Sequence, residues 1–332
     1  MNLTRRQAVV RYSSLLGASP LLAGAAPSQD PPLRELLNSF EFQELCERKL
    51  GAANYQEIAG GDRTFFDRLT FRPRLMVNTT KLDLSLDLFG QSLFAPLLIG
   101  PVAAQKRFHP EGELAMVRGA SAAKAAMVVS SRSSIPLEEI AAQAKVPLWY
   151  QVYPEDGAVE KIQAAVKCGC KAVCLTVGTT PGRADWKLVD RLRGAVSVPF
   201  VLKGIMQPQE AAAAVQRGVQ GIVVSNYNGH SFNPAASPME VLPSIVESVA
   251  GRVPVLIDGG FRRGSDVLKA LALGARAVLL GRPPLWGLAA YGAEGVQRLV
   301  ELLQTELARD MAMCGRVNLQ SIDRTLVRIH RS

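Results

Sequence analysis

Eight short apolar runs alternate with helix-like segments from residue 97 onward. The intervening segments are rich in alanine and have helical spacing, and QPQEAAAAVQRG and GSDVLKALALGA carry glycine at or near their ends, a common helix stop. The runs are continuously apolar rather than alternating, as expected of strands that a parallel sheet buries on both faces. The eight runs are LLIGP (97–101), MVVSS (127–131), LWYQVY (148–153), AVCLTV (172–177), FVLKGI (200–205), GIVVSN (221–226), VLIDGG (255–260) and AVLLGR (277–282).

Eight strands alternating with helices over roughly 200 residues predict an α/β fold, the (β/α)8 TIM barrel. A doubly wound open sheet is the alternative, although such sheets usually have fewer strands. Residues 32–95 contain a helical segment, PLRELLNSFEFQELCERKL, and a hairpin-like segment, LDLSLDLFGQSLFAP. We expect them to form a short N-terminal cap, so that residues 27–332 are one domain with the cap at 32–95 and the barrel at 96–310.

The N-terminal segment differs from the rest of the chain. It begins MNLTRRQAVVRYSSLLGASPLLAGAAPSQD, with paired Arg5-Arg6, a weakly apolar stretch and then small residues suited to cleavage. Residues 1–26 contain no acidic residue, while Arg11 and Pro20 make the stretch a poor membrane anchor. The pattern predicts a twin-arginine export signal at residues 1–26 and a periplasmic protein. A frayed amphipathic N-terminus is the alternative interpretation.

Composition narrows the possible partners. The net charge is +9, from 38 basic and 29 acidic residues, but the basic residues are scattered. This favours an ordinary basic surface that attracts anionic ligands over nucleic-acid binding. No apolar run reaches the roughly 18 residues that a membrane helix needs. The 5 cysteines are an odd number without metal-ligand spacing, so we expect neither a disulfide framework nor a metal site.

The active site of a TIM barrel lies at the C-terminal ends of its strands. The last two predicted strands end in DGGFRRGSD and LLGRP, where glycines and arginines suit a phosphate group. Plain tight turns are the alternative. Lys203 ends the fifth strand after apolar residues, a costly place for a cation without an anion nearby. It would neutralise a negatively charged cofactor, form a Schiff base, or reach solvent from the rim.

The chain resembles the FMN-dependent 2-hydroxy acid oxidases and dehydrogenases, such as glycolate oxidase and lactate oxidase. The resemblance runs from about residue 35 to residue 305 and is carried by eight segments: FFDRLTFRPRLM, PVAAQKRFHPEGELA, VSSRSSIPLEEIA, YQVY, VLKGI, VVSN, DGGFRRGSDVLKALALGARAVLLGRP and GLAAYGAEGV. It implies an FMN-binding barrel that acts on a small molecule, and it allows a homo-oligomer.

The resemblance also implies which residues bind the flavin. The ring system would contact strand-end residues, with Lys203 at the edge that gains negative charge on reduction. The phosphate would lie on the glycine and arginine turns. The implied cofactor-binding set is Pro101, Val102, Ala103, Ser130, Gln151, Thr176, Lys203, Ser225, Asp258, Gly260, Arg262, Gly281 and Arg282.

The substrate half departs from the family pattern. After the sixth strand the family has Ser-Asn-His-Gly-x-Arg-Gln, whereas this chain reads SNYNGHS. Tyr227 therefore stands at the position of the general-base histidine, and His230 at that of an arginine that binds the substrate carboxylate. Gly178 replaces the aspartate that orients the histidine.

One further substrate arginine and one active-site tyrosine are replaced, while a second active-site tyrosine is kept. Ala184 fills the position of a substrate arginine, although Arg183 remains, and Glu57 that of an N-terminal tyrosine. Tyr153 is retained. The long loop that usually follows the fourth strand is nearly absent.

Three hypotheses follow. The first is an FMN oxidoreductase with a different substrate, on which Lys203, Tyr153, Tyr227 and His230 form the catalytic set. The second is ordinary oxidation of small 2-hydroxy acids, with His230 or Tyr227 as the base. The third is a flavin-binding protein without catalysis.

Overall fold

The computed structural model describes residues 30–178, 184–227 and 237–330. The helical and hairpin segments predicted ahead of the barrel are both present. Helix α1 (Ser39–Gln56) begins where the Asn38 side chain accepts the backbone N–H groups of Phe40 and Glu41. The other elements before the barrel are a 3-10 turn (Leu33–Glu35), α2 (Thr64–Asp67), strand β1 (Leu69–Phe71) and the antiparallel pair β2 (Leu86–Leu88) and β3 (Gln91–Leu93).

Eight parallel strands close into a barrel, which confirms the predicted fold. Each apolar run of the sequence contains one strand, and nearly every strand residue is buried. The strands pair in the circular order β10-β11-β4-β5-β6-β7-β8-β9. They are β4 (Leu97–Ile99), β5 (Met127–Ser130), β6 (Leu148–Val152), β7 (Val173–Thr176), β8 (Phe200–Ile205), β9 (Gly221–Val224), β10 (Val255–Asp258) and β11 (Ala277–Leu280).

Helices follow the strands and cover the outside of the barrel. Those at Pro208 and Pro238 begin with proline, which suits the first helical turn because it has no N–H to leave unpaired. The helices are α3 (Gly112–Ala122), α4 (Leu137–Gln143), α5 (Ala158–Lys167), α6 (Trp186–Gly194), α7 (Pro208–Gln216), α8 (Pro238–Val249), α9 (Gly264–Ala272) and α10 (Arg282–Met313).

Two features were not predicted from the sequence. β1 pairs antiparallel with a strand near the C-terminus, β12 (Val327–Ile329), and so ties the two ends of the described chain together. Helix α10 has 32 residues and is kinked at Tyr291 and Gly292, which have non-helical backbone angles. Because β1 and β12 have three residues each and lie far apart in sequence, local pattern does not indicate their pairing.

Other properties of the described residues bear on function. Over 30–178, 184–227 and 237–330, no helix combines the length and the hydropathy needed to cross a bilayer. In the same ranges, no group of three His, Cys, Asp or Glu side chains could hold a metal ion. All five cysteines are free thiols.

Candidate functional site

A cavity of about 250 Å³ opens at the C-terminal ends of the barrel strands. Its wall brings together residues from the ends of seven of the eight strands and from the segment after α1. Thirteen of the predicted site residues line it: Pro101, Val102, Ala103, Gln151, Tyr153, Thr176, Lys203, Tyr227, Asp258, Gly260, Arg262, Gly281 and Arg282.

Lys203 and Asp258 form a buried ion pair in this wall. The Nζ of Lys203 lies 2.6 Å from the Oδ2 of Asp258, and the lysine side chain is only 5% exposed. Nζ also donates to the Oγ of Ser225 at 2.8 Å. The anion that the sequence argument required is therefore a carboxylate from β10, and the lysine does not reach solvent. Its amine places a fixed positive charge at the cavity wall.

A chain of hydrogen bonds joins the ends of β5, β6 and β7. The Ser130 hydroxyl donates to the Oε1 of Gln151 at 3.1 Å, and the Nε2 of Gln151 donates to the Thr176 hydroxyl at 2.9 Å. Gln151 and Thr176 line the cavity, whereas Ser130 lies behind them and is 2% exposed. The chain fixes the Gln151 amide, so its orientation toward the cavity is set before any ligand binds.

Two arginines face the cavity at the ends of β10 and β11 without a carboxylate partner among the described residues. Arg262 donates to the carbonyls of Phe261 and Gly60, and Arg282 donates to that of Ala59. Burial, followed by the nearby guanidiniums of Arg282 and Arg63, lowers the pKa of Arg262. Burial likewise lowers the pKa of Arg282. Arg262 is buried and also lies over the Trp286 ring, while Arg282 is half-buried. Two cations whose hydrogen bonds go to carbonyl oxygens form a site that a bound anion would stabilise.

Gly260 and Gly281, in the same two turns, are glycines for different structural reasons. Gly260 has φ +78°, and a Cβ there would lie 2.5 Å from the Asp62 carbonyl oxygen, so it accommodates the segment after α1. A Cβ at Gly281 would meet no atom within 4 Å, which leaves its backbone open to a ligand. The interpretation of these two segments as plain tight turns therefore accounts for Gly260. It does not explain why an arginine faces the cavity at each turn.

On the other side of the cavity, two tyrosines form a pair. The hydroxyl of Tyr153, after β6, lies 2.9 Å from that of Tyr227, after β9. Burial, with the hydrogen bond to Tyr227 second, raises the pKa of Tyr153. Tyr153 is therefore a protonated phenol at neutral pH and acts as a hydrogen-bonding group rather than a base.

Glu57 adds a carboxylate to the cavity wall. It follows α1 and forms two contacts with Arg107, with Nη1 2.8 Å from Oε1 and Nη2 2.5 Å from Oε2. The pair joins the cap to the turn after β4. Because Arg107 is paired with this carboxylate, the pair adds no net positive charge that would attract a negatively charged substrate group.

Some predicted residues lie elsewhere. Ser225 is fully buried behind the wall, where its Oγ accepts from Lys203 and from the backbone N–H of Tyr227. His230 and Arg183 fall outside the described residues. The chain between β7 and α6 is short, running from Thr176 to Trp186, as the sequence indicates.

Comparison with known proteins identifies the family. The sequence profile described as FMN-dependent dehydrogenase matches residues 49–183 and 178–329. The chain belongs to this family. It is 34% identical to a peroxisomal (S)-2-hydroxyacid oxidase of Arabidopsis thaliana over 89% of this chain and 97% of the relative. It is 35% identical to the L-lactate oxidase of a Nostoc species over 88% of this chain and 98% of the relative.

Solved structures agree with the sequence relatives. A mandelate oxidase crystallised with (S)-2-phenylpropionate superposes with a TM-score of 0.85 and 34% identity, over 90% of this chain and 100% of that one. The alignment to the Arabidopsis oxidase spans 351 residues, more than the 332 of this chain, so that relative has segments that this chain lacks. The enzyme is accordingly an FMN-dependent oxidoreductase related to the 2-hydroxy acid oxidases.

The residues present fit FMN. The two arginines without carboxylate partners suit its phosphate, and the open backbone at Gly281 leaves room for it. The fixed amide of Gln151 and the charge of Lys203 lie where a flavin ring needs hydrogen bonds and a cation.

Sequence reasoning missed two residues that shape the site. Glu113 is 1% exposed, and its Oε1 accepts the backbone N–H groups of Gln105 at 3.1 Å and Ser134 at 2.8 Å. It thereby joins the loops after β4 and β5. Arg132, directly after the MVVSS run, lies over the Tyr153 ring. Its position in the sequence was a usable signal, because charged residues directly after barrel strands lie near the site.

Proposed function

We propose that this FMN-dependent oxidoreductase oxidises an alcohol substrate other than the small 2-hydroxy acids that are held by their α-carboxylate. The observation that carries the proposal is the contact between Tyr227 and Tyr153, because a phenol stands where the family pattern has a histidine base. A base near pKa 7 is what proton abstraction from such a substrate needs, and an unperturbed tyrosine titrates near 10.

The charges around the tyrosine pair support the same proposal. The resemblance places Ala184 and His230 at positions where the family has arginines that bind the substrate carboxylate. Glu57, at the position of a family tyrosine, lines the cavity and pairs with Arg107. Loss of cationic partners for a buried carboxylate weakens binding by about 2–5 kcal/mol. A substrate hydroxyl that accepts from or donates to the phenols fits this wall better.

The proposed roles divide the cavity into two halves. The FMN phosphate end would be held by Arg262, Arg282, Gly260 and Gly281. The ring would be held by Pro101, Val102, Ala103, Gln151, Thr176 and Lys203, with Asp258 as the anionic partner that fixes Lys203. When bound, FMN supplies the two-electron acceptor. Lys203 would supply a positive charge that stabilises negative charge on the flavin ring. Tyr153 and Tyr227 orient the substrate hydroxyl, and Ser225 fixes Lys203 and the backbone of Tyr227 together.

Anaerobic spectroscopy of the FMN-loaded protein tests the proposal. Glycolate, lactate and mandelate are added in turn, and dithionite is added last to show that the flavin can be reduced. We expect the oxidised flavin spectrum to persist with all three acids and to bleach with dithionite. Bleaching by any of the three acids would refute the proposal and restore ordinary hydroxy acid oxidation, with His230 or Tyr227 as the base.

A rebuilt variant provides the matched control. The double substitution Tyr227→His with Ala184→Arg returns a base and one carboxylate anchor to the family positions. We expect this variant to gain reduction by at least one of the three acids, whereas Tyr227→His alone gains less because the anchor is still missing. If neither variant gains any activity, the assignment of these two positions is wrong.

We also propose that the protein is exported by the twin-arginine route. The support is the sequence of residues 1–26, which lie outside the described residues. This route carries folded proteins, so the barrel would acquire FMN before export. Fractionation of cells expressing the full chain should place a shortened protein in the periplasm, and replacing Arg5 and Arg6 by lysine should retain it in the cytoplasm. Uncleaved wild-type protein in the cytoplasm would contradict the proposal.

A further inference from the structure

Arg132 does not line the cavity itself but lies over the ring of Tyr153, which does, and the exposed region around Arg132 is here called the mouth. Its guanidinium carbon is 4.0 Å from the centroid of the Tyr153 ring. Tyr153 is 7% exposed and lines the cavity, whereas the Arg132 side chain is 54% exposed. The arginine therefore joins the buried tyrosine pair to solvent.

The position of this guanidinium is fixed on several sides. The backbone N–H of Arg132 donates to the Oγ of Ser130 at 3.2 Å, and its carbonyl accepts from the N–H of Ala104 at 3.0 Å. The side chain donates from Nη2 to the Oε2 of Glu155 at 3.1 Å. Stacking on one face and a carboxylate at one edge hold the group, so little conformational entropy is lost when it binds a ligand.

The surrounding charges leave a net positive charge at the mouth. The Glu155 carboxylate contacts Lys161 as well as Arg132, because the Nζ of Lys161 lies 2.6 Å from its Oε1. The hydrogen bond from Lys161 lowers the pKa of Glu155, and the hydrogen bond to Glu155 raises the pKa of Arg132. Two basic side chains, those of Arg132 and Lys161, therefore share one carboxylate. A guanidinium has five N–H donors, and the bond to Glu155 uses one of them.

Arg107, on the cap side of the cavity, is already engaged. Both of its terminal nitrogens contact the carboxylate of Glu57, the arrangement that satisfies a guanidinium fork most completely. Arg132 contacts its carboxylate through one nitrogen only. Of these two, Arg132 has more donors left for a ligand, and it is the one that lies over a ring of the tyrosine pair.

We infer that Arg132 is a specificity-determining residue that binds an oxyanion group, such as a carboxylate or a phosphate, on the outer part of the substrate, away from the carbon that is oxidised. The inference rests on the proposed function, in which the tyrosine pair holds the reacting hydroxyl deeper in the cavity. The substrate class is then an anionic alcohol long enough to extend from Tyr153 to the mouth. The ring of Tyr153 and the guanidinium of Arg132 would together contact the outer end of this substrate and favour one that carries an anionic group there.

Binding measurements with two probes of the same shape test this inference. The probes are 4-(hydroxymethyl)benzoate, an anion, and 4-(hydroxymethyl)benzamide, its neutral isostere. Their dissociation constants are measured with the FMN-loaded full chain, from the change in flavin absorbance. The variants are Arg132→Gln, which removes the charge, and Arg132→Lys, which keeps a charge without the planar fork.

Arg217 offers a matched control. Its guanidinium carbon lies 5.2 Å from the centroid of the Trp186 ring, and its Nη1 lies 2.6 Å from the Oδ2 of Asp190. Unlike Tyr153, the ring of Trp186 is not part of the cavity wall. Arg217→Gln therefore removes the same charge from a similar stacked and paired arginine. Flavin content and the thermal midpoint of each variant check that the fold is kept.

We expect wild type to bind the benzoate more tightly than the benzamide. Arg132→Gln should weaken the benzoate about 10-fold, as loss of one charge-assisted contact predicts, and leave the benzamide within about twofold. The affinity of Arg132→Lys for the benzoate should lie between those of wild type and Arg132→Gln. Arg217→Gln should change the affinity for neither probe. The inference is overturned if wild type does not prefer the anion, if Arg132→Gln weakens both probes equally, or if Arg217→Gln has the same effect. Reduction by small 2-hydroxy acids would overturn the proposed function without changing these affinities.

Discussion

The hydroxyls of Tyr153 and Tyr227 lie 2.9 Å apart, and their rings meet edge to face at 81° with centroids 6.1 Å apart. Tyr227 has a left-handed backbone with φ 46°, which costs a residue other than glycine about 1 kcal/mol or more. Its backbone N–H is held by the Ser225 hydroxyl, which also accepts from Lys203. The pair is thus connected to the cation of the flavin half, and its geometry does not depend on a ligand.

A double-mutant cycle measures this contact. We expect Tyr153→Phe and Tyr227→Phe each to lower the free energy of unfolding by about 1 kcal/mol, since each removes one partner of the same hydrogen bond. The double variant should lose less than the sum, with a coupling energy of about 0.5–1.5 kcal/mol from urea unfolding. Strict additivity would show that the two hydroxyls do not interact.

Breaking the Lys203–Asp258 pair should be costly. Lys203→Met leaves the Asp258 carboxylate without its cation, and we expect a loss of about 3 kcal/mol in the free energy of unfolding. The double substitution Lys203→Met with Asp258→Leu should recover part of this loss, because no lone charge remains. If the double variant is less stable than Lys203→Met, the pair is not the main interaction at this place.

Arg282 should recognise the phosphate rather than the flavin ring. We expect Arg282→Gln to weaken FMN about 10-fold or more and to leave riboflavin, which lacks the phosphate, nearly unchanged. Dissociation constants for both ligands come from quenching of flavin fluorescence on titration with apoprotein. An equal loss for FMN and riboflavin would place Arg282 against the ring or make its role structural.

Glu113 should stabilise the two loops that it joins. Glu113→Ala leaves the buried N–H of Gln105 and the part-buried N–H of Ser134 without an acceptor, and we expect a loss of about 2–4 kcal/mol in the free energy of unfolding. Glu113→Gln keeps an acceptor oxygen at the same place and should cost much less. Equal losses in the two variants would indicate that the negative charge, rather than the hydrogen bonds, is required.

The buried thiols should make the protein less stable at alkaline pH. Burial raises the pKa of Cys46, Cys170 and Cys174 from 9.0 to about 12. Because the folded pKa lies above the unfolded one, this contribution is fully present below about pH 9 and is lost as the pH rises from about 9 to 12. Each thiol should lower the free energy of unfolding by about 1.4 kcal/mol per pH unit in that window.

Replacing one thiol tests the slope. We expect Cys174→Ala to flatten the pH dependence between pH 9 and 11 by the contribution of one thiol. Cys168 is the matched control, because its side chain is far less buried and its replacement should change the slope little. A slope that Cys174→Ala leaves unchanged would exclude this thiol as a cause.

Much of the fold could be predicted because its signals are local. Continuous apolarity over a few residues indicated each of the eight strands. The polar residues near the end of the runs, such as Lys203 and Asp258, lay at the predicted end of the barrel. The pairing of β1 with β12 left no such signal, because each strand has only three residues and residues 72–326 separate them, so no local pattern relates the two.

The candidate site could be predicted only in part. The strand ends identified Gln151, Thr176 and the arginine turns, but Ser130 and Ser225 proved to support the wall rather than line it. Arg132 and Glu113 were missed because their importance depends on contacts with Tyr153 and with two separate loops. His230 stays a prediction, as it falls outside the described residues.

The sequence by itself determined the barrel, the strand ends and the family, because hydrophobic periodicity and short motifs are properties of neighbouring residues. The tertiary structure decided which side chains meet. Tyr153 and Tyr227 are 74 positions apart, and the amine of Lys203 finds its carboxylate on another strand. Closure of the barrel brings these strand ends to one rim, and the partner of each buried polar group is fixed by that closure rather than by its neighbours in the chain.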